Sequence, residues 1–112
     1  MITIYHNPRC SKSRICLQLL QQFTNDIEII DYLNQPPSLD DLRTLARELG
    51  LRAMIRDNET IYKDLGLVDA DDNQLLSALR KYPQLLQRPI VIINQQPIIA
   101  RPPEKVLELL NE

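Results

Sequence analysis

Cys10, the single histidine and a run of basic residues near the N-terminus are the parts of this 112-residue chain best suited to chemistry. Cys10 lies within His6-Asn7-Pro8-Arg9-Cys10-Ser11-Lys12-Ser13-Arg14, between a short apolar run and a helical pattern. A cysteine just ahead of a first helical turn feels the partial positive charge of the helix start, which favours thiolate over thiol. The free N–H groups of that turn, at Ser11, Lys12, Ser13 and Arg14, also form a ready site for an oxyanion. Thiolate and oxyanion repel each other, so cations are required; Lys12 and Arg14 are local, and more distant arginines must supply the rest. His6 would assist electrostatically, helping to hold Cys10 as thiolate. Cys16 sits among apolar residues beside Leu19 and Leu20 and reads as core, the commonest state of an unselected cysteine. Cys10, flanked by polar and basic residues, does not fit that reading. The Cys-x-x-Ser spacing of Cys10 and Ser13 is a weak signal shared by single-thiol glutaredoxin-like modules. The Cys-x5-Arg order of phosphatase loops is absent: position 16 is Cys, and Arg14 comes too early. The two cysteines, six apart, with one histidine, do not make a metal-pair spacing, so no metal is expected.

The elements that must position Cys10 follow from periodicity. Ile2 to Tyr5 is a β-rich run broken at Asn7-Pro8. Ile15, Cys16, Leu19, Leu20 and Phe23 then form one helical stripe, with Ser11 or Ser13 as candidate cap. Ile27 to Tyr32 is a second β-type run, completing a β-α-β unit with parallel strands expected. Ser38 with Asp41 resembles a capping box ahead of the stripe Leu39, Leu42, Leu45, Ala46 and Leu49, which Gly50 stops. Shorter helical pieces follow, and Asp71 with Gln74 opens a helix ended by Pro83. Ile90 to Ile93 is a continuously apolar strand, expected centrally with both faces covered. Asn94-Gln95-Gln96-Pro97 turns the chain into Ile98-Ile99-Ala100. Pro102 and Pro103 suit the start of a last helix that buries Val106, Leu107, Leu109 and Leu110. The order β-α-β, a helical insertion over about 38–82, then β-β-α predicts an α/β thioredoxin-like fold with a four-stranded mixed sheet.

The length predicts a single domain over residues 1–112. A net charge of −2 and an aromatic set of four tyrosines and one phenylalanine argue against a nucleic-acid binder. No run approaches the ~20 apolar residues of a membrane span, and Met1-Ile2-Thr3-Ile4-Tyr5 does not resemble a secretory signal. Two cysteines near one end staple almost nothing, so a reducing, cytoplasmic compartment is expected.

The chain resembles the glutaredoxin-dependent arsenate reductases of ArsC type over nearly its whole length. The resemblance is carried by Ile-Tyr-His-Asn-Pro-Arg-Cys at 4–10, Ser13-Arg14, Pro36-Pro37-Ser38, Ile55-Arg56-Asp57-Asn58, Leu65-Gly66-Leu67, Arg88-Pro89-Ile90-Val91 and Arg101-Pro102. It implies Cys10 as nucleophile, His6 as auxiliary histidine, and Arg56, Arg88 and Arg101 as substrate-binding arginines. It implies arsenate or a similar oxyanion as substrate, glutathione as co-substrate, glutaredoxin as partner and no bound cofactor. The thiolate would form a covalent thio-arsenate, glutathione would add to arsenic, and glutaredoxin would complete reduction to arsenite. Arginine suits that task because its planar fork binds tetrahedral oxyanions in bidentate fashion. Thioredoxin-like domains also place a cis-proline opposite the cysteine, which implies a cis Arg88–Pro89 bond. The chain departs from the best-known members at Ser11-Lys12, where those carry Gly-Thr. Two other classes share parts of the pattern. A Spx-type regulator binding RNA polymerase commonly uses Cys-x-x-Cys, but position 13 is Ser. A single-cysteine thiol–disulfide oxidoreductase would not need three arginines.

Overall fold

The computed structural model describes residues 1–110. They form two compact units, Met1–Gln35 together with the C-terminal stretch from Arg88, and Pro36–Gln87.

The first unit carries a four-stranded mixed sheet in the order β2-β1-β3-β4, built from β1 (Ile2–His6), β2 (Ile27–Asp31), β3 (Ile90–Ile93) and β4 (Gln96–Ile99). β1 pairs with β2 in parallel and with β3 antiparallel. Helix α1 (Ser11–Phe23) connects β1 to β2, and α5 (Val106–Leu110) follows a 3₁₀ turn at Pro103–Lys105. Strand alternation sends Ile2 and Ile4 of β1, with Val91 and Ile93 of β3, to one face. There they share a core with Cys16 and Leu20 of α1, Ala100, and Val106, Leu109 and Leu110. Central β3 is covered as its unbroken apolar run requires.

Several local expectations are corrected. On α1 the buried residues are Ser13, Cys16 and Leu20, while Ile15 and Phe23 are exposed. The true inward face is rotated from the apolar stripe because it must accommodate Ser13. Neither Ser11 nor Ser13 caps α1; Cys10 holds that position with no side-chain cap bond. The β3–β4 turn is two residues rather than four, since Asn94 and Gln95 both have positive φ, as a type I′ turn requires. Gln96 and Pro97 therefore join β4, an edge strand, where a proline's missing donor is tolerated. Leu107 is partly exposed because the turn of α5 points it away from the core.

The second unit is the helical insertion: α2 (Leu39–Leu49), α3 (Thr60–Asp64) and α4 (Asp72–Lys81), with 3₁₀ turns between. Ser38 caps α2 by accepting from the Asp41 N–H at 3.1 Å, and Gly50 closes it with φ 85°. Asp71 and Gln74 form a reciprocal capping box on α4. The Arg52 guanidinium ties the loop after α3, donating to the carbonyls of Leu67 and Ala70 at 2.9 Å each. No helix among the described residues is long and apolar enough to cross a membrane.

Leu20 is fully buried in the sheet–helix core. Leu20→Ala is expected to lower the unfolding free energy by about 2–5 kcal/mol, the usual cost of lost apolar burial plus a residual cavity. Urea denaturation should show a lower midpoint with an unchanged slope; a midpoint equal to wild type would place Leu20 outside the core.

Candidate active site

The loop from β1 to α1 is organised by hydrogen bonds that its proline leaves few ways to make. Pro8 has no N–H, so the loop's donors are those of Arg9 and Cys10. Arg9 N–H donates to Asn7 Oδ1 and Cys10 N–H to the Asn7 carbonyl, both at 3.0 Å. Arg14 Nη1 donates to the Pro8 carbonyl at 2.9 Å. Cys10 thereby sits half-buried as the residue preceding α1, the cysteine placement expected from the sequence.

Burial by itself pushes the Cys10 thiol up. It is outweighed by the Ser13 backbone N–H, which faces the sulfur, then by the Arg88 guanidinium, the Lys12 N–H and the Arg88 charge, so the thiol is held below its ordinary value. Cys16 shows the opposite: burial, and then the Glu104 charge, push it up to about 12. The contrast makes Cys10 the more readily ionised, more reactive thiol of the two and leaves Cys16 inert. Iodoacetamide labelling followed by peptide mass is expected to modify Cys10 with a midpoint below the ordinary thiol range and to leave Cys16 unlabelled in the folded protein. Cys16→Ala should retain the thiol's reactivity at Cys10 and lose roughly 1 kcal/mol of stability. Preferential labelling of Cys16 would reverse the assignment.

Ser11, Lys12, Ser13 and Arg14 do not contribute alike. The Ser13 and Lys12 amides face the Cys10 sulfur. The Arg14 amide closes the first helical bond on the Cys10 carbonyl at 3.0 Å, so it is not free for an anion, a correction to the four-amide expectation. Its guanidinium instead buttresses the loop at Pro8.

His6 is buried at the end of β1, in register with Asp31 of β2. Its Nδ1 shares a 2.6 Å hydrogen bond with Ser13 Oγ, which also accepts from the Asn7 N–H at 3.0 Å. Burial lowers the His6 pKa; Asp31 opposes this in part and Arg14 adds to it. A histidine moved below 6.5 is neutral at pH 7. What the structure gives His6, expected to assist electrostatically, is a hydrogen bond that anchors Ser13, whose amide faces the sulfur. Lowering the pH protonates His6 only below its ordinary range, because its folded value is depressed.

The three arginines take different settings. Arg88 lies two residues before β3, separated from it by Pro89, and its guanidinium acts on the Cys10 sulfur. Arg101 Nη1 donates to the Arg88 carbonyl at 2.9 Å, so it braces the segment that carries Arg88. The Arg88–Pro89 bond is cis as expected, and Arg101–Pro102 is also cis. Arg56 belongs to the second unit, where its N–H donates to the Leu85 carbonyl at 2.7 Å and its Nε pairs with Glu59 at 3.4 Å. Sequence reasoning took Asn7-Pro8 only as a strand breaker and missed the Asn7 side chain as the loop's organiser. The Asx-Pro spacing ahead of the cysteine was the available signal.

A cleft of about 300 Å³ adjoins this loop, lined by Asn7, Pro8, Arg9, Asp31, Leu33 and Asn34. A larger cleft on the second unit, beside Arg43, Leu76 and Arg80, is lined by neither cysteine nor histidine.

Comparison with known proteins matches the ArsC family over residues 5–109. A Neisseria meningitidis protein named arsenate reductase is 42% identical, with 97% of each chain covered. An uncharacterized Escherichia coli protein, YfgD, is also 42% identical over 97% of this chain and 96% of its own. The solved arsenate reductase from Vibrio cholerae is 45% identical with a TM-score of 0.90, covering 96% of this chain and 95% of that one. These neighbours share the thioredoxin-like fold.

Proposed function

On the premise that this chain belongs to the ArsC family, we propose that it is an arsenate reductase whose nucleophile is Cys10 and whose electrons come from glutathione and glutaredoxin. The observation that carries the reading is the convergence of two backbone N–H groups and the Arg88 guanidinium on the Cys10 sulfur. Such donors hold a thiolate ready and are of the type that binds an oxyanion.

The chemistry runs as nucleophilic catalysis. The Cys10 thiolate attacks arsenic of arsenate, and one oxygen leaves as water after protonation. Arsenic remains pentavalent in the resulting thio-arsenate. Glutathione thiol replaces a second oxygen, again with loss of water. Attack by a glutaredoxin thiol then leaves two sulfurs joined as a disulfide and gives arsenic the electron pair that makes it trivalent. Water then adds to the trivalent arsenic as the Cys10 thiolate leaves it, which releases arsenite and regenerates Cys10. External thiols resolve the intermediate, so Cys16 has no part to play. Arg88 and Arg101, with Arg56 added by the family resemblance, would balance the negative charge of substrate and thiolate. A reducing cytoplasm supplies the thiols this scheme needs.

A coupled assay tests it: arsenate, glutathione and glutaredoxin, with NADPH loss followed through glutathione reductase. NADPH loss should require arsenate, glutathione and this protein together. Absence of arsenate-dependent loss overturns the reading, and turnover of a disulfide substrate in its place favours a single-cysteine oxidoreductase.

A further inference from the structure

We propose that Asn7 is a positioning residue for the reaction at Cys10, its side chain closing the turn that presents the cysteine to the start of α1. The role is carried by hydrogen-bond accounting. Asn7 is buried, and each of its polar groups is used. Oδ1 accepts from Arg9 N–H and the carbonyl from Cys10 N–H, at 3.0 Å each. Its own N–H donates to Ser13 Oγ at 3.0 Å, and Nδ2 donates to the hydroxyl of fully buried Tyr32 at 3.4 Å. With Pro8 offering no donor, Asn7 accepts both N–H groups of the loop ahead of α1. An Asn side chain bonding two residues onward is the ordinary means of making such a turn.

The link to Cys10 is geometric. Cys10 has extended backbone angles, φ −93° and ψ 122°, with no side-chain cap to hold it. Its position depends on the Asn7 turn on one side and on the helix on the other. Ser13, whose amide faces the sulfur, is tied to the same residue through its hydroxyl. The groups that set the charge around Cys10 are Arg88 and the Lys12 and Ser13 amides. The His6 ring nearby sees Asp31 and Arg14. None of these is the Asn7 side chain, which is neutral, so any effect of removing it acts through geometry.

The rate arm of this proposal rests on the arsenate reductase reading, but the thiol arm does not, because alkylation needs no arsenate. The pH dependence of Cys10 alkylation by iodoacetamide is compared for wild type, Asn7→Ala, Asn7→Ser and Tyr32→Phe, each confirmed folded by urea denaturation. Asn7→Ala should move the midpoint upward, and each unit the midpoint moves above 7 lowers the thiolate fraction at pH 7 about tenfold. Arsenate kcat/KM at pH 7 should fall in proportion and recover as pH is raised, which a merely structural defect would not do. Asn7→Ser keeps a short acceptor for Arg9 N–H and should restore most of the profile. Tyr32→Phe loses only the longest bond and should shift it least. Should Asn7→Ala fail to fold, Asn7→Gly removes the same acceptor with no steric demand and is read in the same way. A folded Ala or Gly variant with the wild-type alkylation profile overturns the proposal, as does Asn7→Ser shifted as far as Asn7→Ala. If wild type reduces no arsenate, the functional reading fails while the alkylation comparison still decides the role of Asn7.

Discussion

Cys10→Ser is expected to abolish arsenate-dependent NADPH consumption, by about four orders of magnitude or more, while the urea unfolding midpoint should stay at or above that of wild type. The loss follows from the nucleophile itself. A serine hydroxyl does not ionise near neutral pH, and donors arranged to hold a thiolate cannot supply the missing base. Removing the nucleophile of a covalent mechanism leaves only what binding and electrostatics provide. The unchanged stability follows from position. Cys10 precedes the first turn of α1 and makes no side-chain cap bond, whereas serine is among the preferred residues there. The two readouts separate catalysis from folding. Activity of the Ser variant within a hundredfold of wild type would show that the reaction does not pass through this sulfur.

Arg88→Lys is expected to lower kcat/KM toward arsenate by about 10- to 100-fold, the scale of one charge-assisted hydrogen bond. Lysine keeps the charge but loses the fork that can face both anion and sulfur. Because Arg88 both hydrogen-bonds to Cys10 and places a positive charge beside it, the Cys10 alkylation midpoint should rise in the same variant. Arg101→Lys removes the guanidinium that donates to the Arg88 carbonyl. Efficiency should fall there too, with a smaller change in the thiol's pH profile, since Arg101 acts on the thiol through Arg88. Arg56→Lys should lower efficiency and leave the Cys10 profile in place. Wild-type efficiency in all three Lys variants would show these arginines to be bystanders. A midpoint raised more by Arg101→Lys than by Arg88→Lys would reverse their order of contact.

What the sequence by itself determined is the part of this protein governed by short-range rules. The β-α-β opening, the Gly50 stop, the caps at Ser38 and Asp71 and the buried run Ile90–Ile93 are all legible, because periodicity, capping and burial on both faces leave signatures within a few residues. The placement of Cys10 at a helix start and of Cys16 in the core follows from the same local logic. Arg56, Arg88 and Arg101 were legible only through family resemblance, since a lone arginine carries no local sign of its partner.

Tertiary structure decided which of those local options was used. Ser13 reads as a cap from its type and position, yet it turns inward because His6 Nδ1 and the Asn7 N–H, delivered by β1, both need its hydroxyl. Ile15 and Phe23 belong to the apolar stripe but remain exposed, because the sheet meets α1 along the face bearing Ser13, Cys16 and Leu20. The neutral state of His6 is likewise decided by burial, with Asp31 and Arg14 as opposing charges from two other elements. Each of these outcomes depends on groups brought together across the chain. A pattern read over a few neighbouring residues sees the donors and the apolar stripes, but it does not see the acceptors and surfaces that claim them.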